Sequence, residues 1–147
     1  MWIDSHAHLS MFEPEEIPEL LERAETRGVG VVLTPATGRD DLEMTVLLAE
    51  DNPDRVVAAV GVHPHEADSL DATLKHDIER AYSKRGVVAV GEIGLDYHYM
   101  NSPREDQLAA FAWQLDLAIE HGLPVVIHNR ESWEDLERLL RDREGRT

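Results

Sequence analysis

His6 and His8 stand two residues apart at the end of a short apolar run, Trp2 to His6. In extended backbone, residues i and i+2 point to the same side. Two imidazoles so placed can face one cation, with nitrogen ligands at about 2.0 to 2.1 Å for Zn²⁺. Mixed imidazole and carboxylate sets suit Mn²⁺ and other divalent ions as well. A pair of solvated surface histidines is the plain alternative. Asp4 is an acid inside the same apolar stretch and needs a partner. The second ring nitrogen of a metal-bound histidine is one candidate.

Glu92 ends the apolar run Val87 to Glu92 and is flanked by Gly91 and Gly94, which allow a tight backbone turn. A carboxylate there is costly without a cation or hydrogen-bond donors. As a bridging ligand it could hold two metals roughly 3.5 to 4 Å apart, an arrangement suited to phosphodiester hydrolysis. As a structural residue it would pair with an arginine. His128 ends the run Val125 to His128 and is followed by Asn129 and Arg130, so an imidazole and a guanidinium emerge together. Arg130 could clamp a phosphate or form an ordinary surface pair. His63-Pro64-His65 could add substrate contacts, or be a proline-bearing turn with solvated histidines. His76 and His121 fall within or at the end of helical segments and read as surface or capping residues, and His98 reads as a loop histidine near the rim.

These residues need elements to bring them together. The apolar runs Trp2 to His6, Gly30 to Pro35, Val56 to Gly61, Val87 to Glu92 and Val125 to His128 alternate with segments whose apolar residues step at helical spacing. The helical stripes are Ile17, Leu20, Leu21 and Ala24; Leu42, Val46 and Ala49; Leu70, Leu74, Ile78 and Ala81; Leu108, Phe111, Leu115 and Ala118; and Trp133, Leu136 and Leu140. Gly28, Gly86 and Gly122 follow stripes as helix-ending residues, and Pro103 suits a helix start. Alternating βα units imply a parallel sheet with strands buried on both faces. The site residues then gather at the carboxyl edge of that sheet.

The 147 residues fit one domain of a soluble α/β protein. No apolar run reaches membrane length and no secretory leader is visible, so the expected location is cytoplasmic, with no membrane partner. The absence of cysteine rules out thiolate ligands and leaves the eight histidines and the carboxylates to hold any metal. Thirty acids against fourteen bases give a formal charge of −16, with only Lys75 and Lys84 as lysines. That charge opposes a simple nucleic-acid-binding module, since a polyanion would be repelled unless cations or a local basic patch intervened.

Taken together, Asp4-Ser5-His6-Ala7-His8-Leu9, Gly61-Val62-His63-Pro64-His65, Gly91-Glu92-Ile93-Gly94-Leu95-Asp96-Tyr97 and Leu123-Pro124-Val125-Val126-Ile127-His128-Asn129-Arg130 resemble the TatD family of metal-dependent hydrolases in order and spacing. The segment Gln107 to Leu117, with Phe111, Gln114 and Leu115, is similar to that family's fourth helix. The resemblance implies an amidohydrolase-like TIM barrel, two divalent ions (Mg, Mn or Zn) and a DNase activity, commonly 3′ to 5′ exonuclease action on DNA. Carried over by position, His6 and His8 bind one metal, Glu92 bridges as the catalytic carboxylate, and His128 binds the second. Asp4 and Asp96 stand behind these ligands, and His63, His65 and Arg130 contact substrate. Family members are longer and bring a further histidine and a late aspartate.

A closed (β/α)₈ barrel typically takes about 250 residues, so residues 1–147 are expected to form a single partial barrel of about five βα units, with edge strands open to association. The expected function is two-metal phosphodiester hydrolysis of DNA. One alternative is an amidohydrolase-like hydrolase of a small ester or amide, and another is an inactive barrel fragment or assembly subunit. Weak metal binding and negligible nuclease activity are expected of the isolated chain.

Overall fold

The computed structural model describes residues 1–145. Five strands, β1 (Trp2–Asp4), β2 (Val29–Pro35), β3 (Val56–Val60), β4 (Val87–Asp96) and β5 (Val125–Arg130), alternate with five α-helices. The helices are α1 (Ile17–Thr26), α2 (Arg39–Asp51), α3 (Ala72–Ala81), α4 (Arg104–His121) and α5 (Trp133–Arg141). Every strand pairing is parallel, and the spatial order β1-β2-β3-β4-β5 is the chain order. A doubly wound sheet reverses direction at a switch point, whereas a barrel adds each strand beside the last. The chain therefore forms a curled portion of a (β/α) barrel, as its alternating pattern implies.

Burial follows position in the sheet. Val56, Ala58, Ala59 and Val60 on β3 are fully buried, because helices cover one face and the sheet's own curl encloses the other. At the β1 edge, Trp2 is 74% and Ile3 63% exposed, which leaves apolar side chains on a strand paired on one side only, as expected of an edge. Two apolar clusters fill the interior. One joins the first three βα units through Leu21, Val46, Val60, Leu74 and Ile78. The other packs Ile93 and Leu95 of β4 against Phe111 and Leu115 of α4 and Leu136 and Leu139 of α5. No helix among the described residues is long and apolar enough to cross a membrane.

The structure departs from the sequence pattern at three places. β4 does not stop at Glu92 but runs on to Asp96, pairing Ile93 to Asp96 with Ile127 to Arg130 of β5. Its register shifts by one residue between Val90 and Ile93, a bulge that carries Gly91 and Glu92. Gly91 and Gly94 thus serve close strand approach inside a continuous strand and do not end it. The buried stripe of α4 also includes Gln107, while Leu108 is only partly covered. On α5, Leu136 and Leu139 are buried whereas Trp133 is 61% exposed, because the packed face lies one position away from the expected stripe.

The start of α5 is tied to β4 and α4 by Asp135. Its carboxylate accepts the Tyr97 hydroxyl proton at 2.7 Å and pairs with Arg104 and Arg138. The Tyr97 hydrogen bond, followed by those from the arginines, holds its pKa down at about 2. Because the folded pKa lies below the unfolded value, the stabilisation is complete above about pH 4 and is lost as pH falls through about 2. Allowing for solvent screening at the half-exposed arginines, we expect Asp135→Asn to cost about 1 kcal/mol at pH 6 and almost nothing near pH 2. Urea denaturation of both proteins across that range checks this, and a pH-independent difference would contradict it.

Candidate metal centre

The carboxyl ends of the strands deliver their polar residues to one place. Glu92, 6% exposed, sits on the β4 bulge with its amide donating to the Ala36 carbonyl at 3.1 Å, so its carboxylate is anchored from behind. Its two oxygens face different partners. Oε2 lies 3.1 Å from His6 Nε2 and 3.4 Å from His8 Nε2. Oε1 lies 3.3 Å from His128 Nδ1 and 4.0 Å from His63 Nε2.

Within each group the imidazole nitrogens also face one another, at 3.2 Å for His6 and His8 and 3.1 Å for His63 and His128. Two sets of three donor atoms result, each with its atoms within 4.8 Å of one another. Two nitrogen ligands at 2.1 Å from a tetrahedral ion would stand about 3.4 Å apart. The observed spacings are close to that value. Imidazole nitrogens and carboxylate oxygens are also the donors that Zn²⁺ and Mn²⁺ accept. The residues present therefore fit divalent metal ions in chemistry and in spacing.

Behind the second set lies Asp96, which is fully buried at the end of β4. One oxygen, Oδ2, accepts from His65 Nε2 at 2.9 Å and from His128 Nε2 at 3.0 Å. The other, Oδ1, accepts the amides of His98 and Tyr99 at 3.0 and 2.9 Å. Burial pushes the Asp96 carboxyl up, but these hydrogen bonds outweigh it and hold the group well below the usual carboxylate range. Burial likewise raises Glu92, and the bond from His128 with the charges of His6 and His63 brings its net pKa below the ordinary value.

The histidines of the second set divide. His128 is raised, chiefly by its bond to Glu92. His63 is pulled down to about 4, chiefly by burial, against the opposing pull of Glu92. His63 is therefore a neutral imidazole at pH 7, and its Nδ1 accepts the His65 amide at 3.1 Å, which leaves its one proton on Nε2.

Each residue singled out in the sequence can now be placed. His6, His8, Glu92 and His128 converge. His63 and His65 converge with them, and His63 lies among the donor atoms themselves and not only at the rim. Asp4 differs from expectation: its carboxylate accepts the backbone amide of His6 at 3.1 Å, not a ring nitrogen, because that amide lies only two residues along the chain. Arg130 is exposed, with its guanidinium 4.6 Å from the centre of the Tyr99 ring and no ion pair among the described residues. His98 bonds Glu131 at 2.9 Å on the surface. His76 and His121 take no part.

Sequence reasoning passed over Tyr99, which is 54% exposed beside His65 at 5.6 Å between ring centres. It named Gln107 and Gln114 only as part of the family-like fourth helix and gave their buried carboxamides no role. Polar residues on the apolar stripe of α4 were the signal for the glutamines.

Comparison with known proteins agrees with this arrangement. A family model described as TatD related DNase matches residues 3–147. An uncharacterized metal-dependent hydrolase TatD from Mycobacterium tuberculosis is 38% identical, over 95% of this chain and 55% of its own length. A 3′-5′ ssDNA/RNA exonuclease TatD from Rahnella sp. is 36% identical, over 90% of this chain and 50% of its own. Among solved structures, YJJV, a TatD homolog from Escherichia coli K12, superposes with a TM-score of 0.85 at 34% identity, covering 96% of this chain and 55% of that one. A TatD family hydrolase from Entamoeba histolytica gives 0.86 at 27% identity, covering 96% and 54%. The chain spans about half the length of the curated relatives it matches. With a family model that spans nearly its whole length and a donor set suited to divalent ions, this chain belongs to the TatD-related DNase family.

Proposed function

We propose that residues 1–147 are one partial barrel domain contributing to a two-metal phosphodiesterase site that trims single-stranded nucleic acid, DNA in particular, from its 3′ end. The observation that carries this is the buried Glu92 carboxylate, whose two oxygens each face a separate pair of imidazole nitrogens. In this assignment His6 and His8 would hold one ion, His63 and His128 would hold the other, and Glu92 would contribute an oxygen to each. Bound divalent ions supply Lewis acidity toward the phosphate and a lowered water pKa.

The chain's own residues prepare that chemistry. Asp96 takes the Nε2 proton of His128 in a hydrogen bond, which leaves His128 Nδ1 directed at Glu92. The same carboxylate holds His65 by its Nε2. His63, its pKa lowered to about 4, is neutral at neutral pH, and an ion at its Nε2 would displace the proton the ring carries there.

Arg130 is free to grip a phosphate, and the Tyr99 ring beside it offers a surface for an unpaired base. The net charge of −16 is no obstacle at this point, because bound cations reverse the local field. The relative named a 3′-5′ ssDNA/RNA exonuclease supports the nucleic-acid assignment.

The test is cleavage of a 3′-labelled single-stranded oligonucleotide with Mg²⁺ or Mn²⁺, alongside a panel of esters and amides. Support would be cleavage that stops on chelation and falls about tenfold or more with Arg130→Ala, the loss of a charge-assisted phosphate contact. Turnover of esters or amides without phosphodiester cleavage would replace this proposal with amidohydrolase chemistry.

A further inference from the structure

Gln107 and Gln114 are both fully buried, seven residues and so about two turns apart on one face of α4. Each carboxamide grips the amide and the carbonyl of one strand-end residue, and that of Gln107 also reaches Ser102. Gln114 Oε1 accepts the Val62 amide at 2.6 Å, and its Nε2 donates to the Val62 carbonyl at 3.2 Å. Gln107 Oε1 accepts the Asp96 amide at 2.8 Å, and its Nε2 donates to the Asp96 carbonyl at 3.1 Å and the Ser102 carbonyl at 2.9 Å.

The gripped residues are not arbitrary. Val62 lies beyond the end of β3 and immediately precedes His63. Asp96 ends β4 and holds His65 and His128 through Oδ2. Ser102 closes a further link, since its hydroxyl donates to the His65 carbonyl at 2.8 Å. Among the described residues no hydrogen bond runs from α4 to β1, His6 or His8.

We propose that Gln107 and Gln114 are positioning residues, two rigid carboxamide clamps by which α4 sets the His63–Glu92–His128 donor group without acting on the His6–His8–Glu92 group. The proposal rests on the two-metal assignment for its consequence, but its geometry does not. Glutamine suits the task because one side chain offers a donor and an acceptor that match the amide and carbonyl of one residue. An apolar replacement of the same length would fill the space and leave strand-end backbone groups unpaired, free to shift toward water or other partners. His63 and Asp96 would move with them.

Gln107→Met and Gln114→Met, made in the 147-residue chain, test this by calorimetric titration with Mn²⁺ and by ¹⁵N imidazole spectra of the metal-free protein. The wild-type chain is expected to bind two ions weakly, and its His65 and His128 to show the Nε2-protonated tautomer. Each variant is expected to weaken one ion by about tenfold or more, the size of effect seen when groups behind metal ligands are lost. The other ion should stay within about threefold, which a general loosening of the fold would not spare. Gln107→Met is further expected to mix the His65 and His128 tautomers.

Variants that melt earlier but keep both affinities and the tautomers would overturn the proposal, as would equal weakening of both ions. Should the wild-type chain bind no ion, the two-metal assignment falls, and the tautomers alone decide on Gln107: unchanged spectra reject its role. Gln107→Glu and Gln114→Glu keep the side-chain shape and lose the donor, so they carry the same measurements where a methionine variant does not fold. Failure of both substitutions to fold would assign the glutamines to the core and overturn the proposal.

Discussion

Glu92→Ala is expected to abolish binding of both ions at once, with a loss of about 100-fold or more at each, whereas His6→Ala or His128→Ala weakens mainly one. The asymmetry follows from the carboxylate's two oxygens. Oε2 completes the His6 and His8 set and Oε1 completes the His63 and His128 set, so one truncation removes a donor from each. Each remaining set would consist of two imidazoles about 3 Å apart, with no carboxylate among the donors to offset a divalent cation. Calorimetric titration with Mn²⁺ gives the stoichiometry directly. Retention of one ion at wild-type affinity in Glu92→Ala would show that the carboxylate does not join the two sets. Glu92→Gln separates charge from shape: it keeps the volume and one acceptor, and we expect it to behave nearly as the alanine variant because the charge is what is missing.

Much of this architecture was legible in the chain because each local cue had only one structural outcome. The alternation of short apolar runs with helical stripes admits few folds other than a parallel sheet wrapped by helices, and His6 and His8 declare their common direction by a spacing of two. Glu92 was legible for the opposite reason, as a charge where the surrounding residues are apolar.

What was hidden depends on neighbours distant in sequence. The approach of His63 to His128 spans 65 positions, and no local pattern announces that their ring nitrogens face one another. Asp4 looked like a partner for an imidazole and instead took the nearer backbone amide, the competition that short acidic side chains often resolve locally. On α4 the expected stripe holds at Phe111, Leu115 and Ala118, but Leu108 is only partly covered and the buried face takes in Gln107 and Gln114. Burial of Gln107 makes sense only once the unpaired backbone of Asp96 is known to lie opposite it.

The same blindness applied to Gly94, which reads as a turn residue and is a strand residue in contact with the site, and its replacement should have the largest effect on stability of any single methyl group added here. Its φ of +143° lies where side chains are strained. It pairs in register with His128, and a Cβ at this position would lie 2.0 Å from the His128 carbonyl oxygen and 2.9 Å from its carbonyl carbon. Those are backbone atoms and cannot rotate aside, so relief requires β4 and β5 to separate where His128 enters the site.

We expect Gly94→Ala to destabilise the fold by about 3 kcal/mol or more, the sum of backbone strain and overpacking, and also to weaken the ion held with His128. Gly122→Ala is the matched control. It too has a positive φ, +63°, but nothing lies within 4 Å of the added methyl, so the cost is only the left-handed backbone, about 1 kcal/mol. Denaturant midpoints measured for the two variants should differ by that margin, with the ion affinity of Gly122→Ala unchanged. Equal destabilisation by the two substitutions would mean that β4 and β5 yield at Gly94, and that the close approach at this point is not what holds His128 in place.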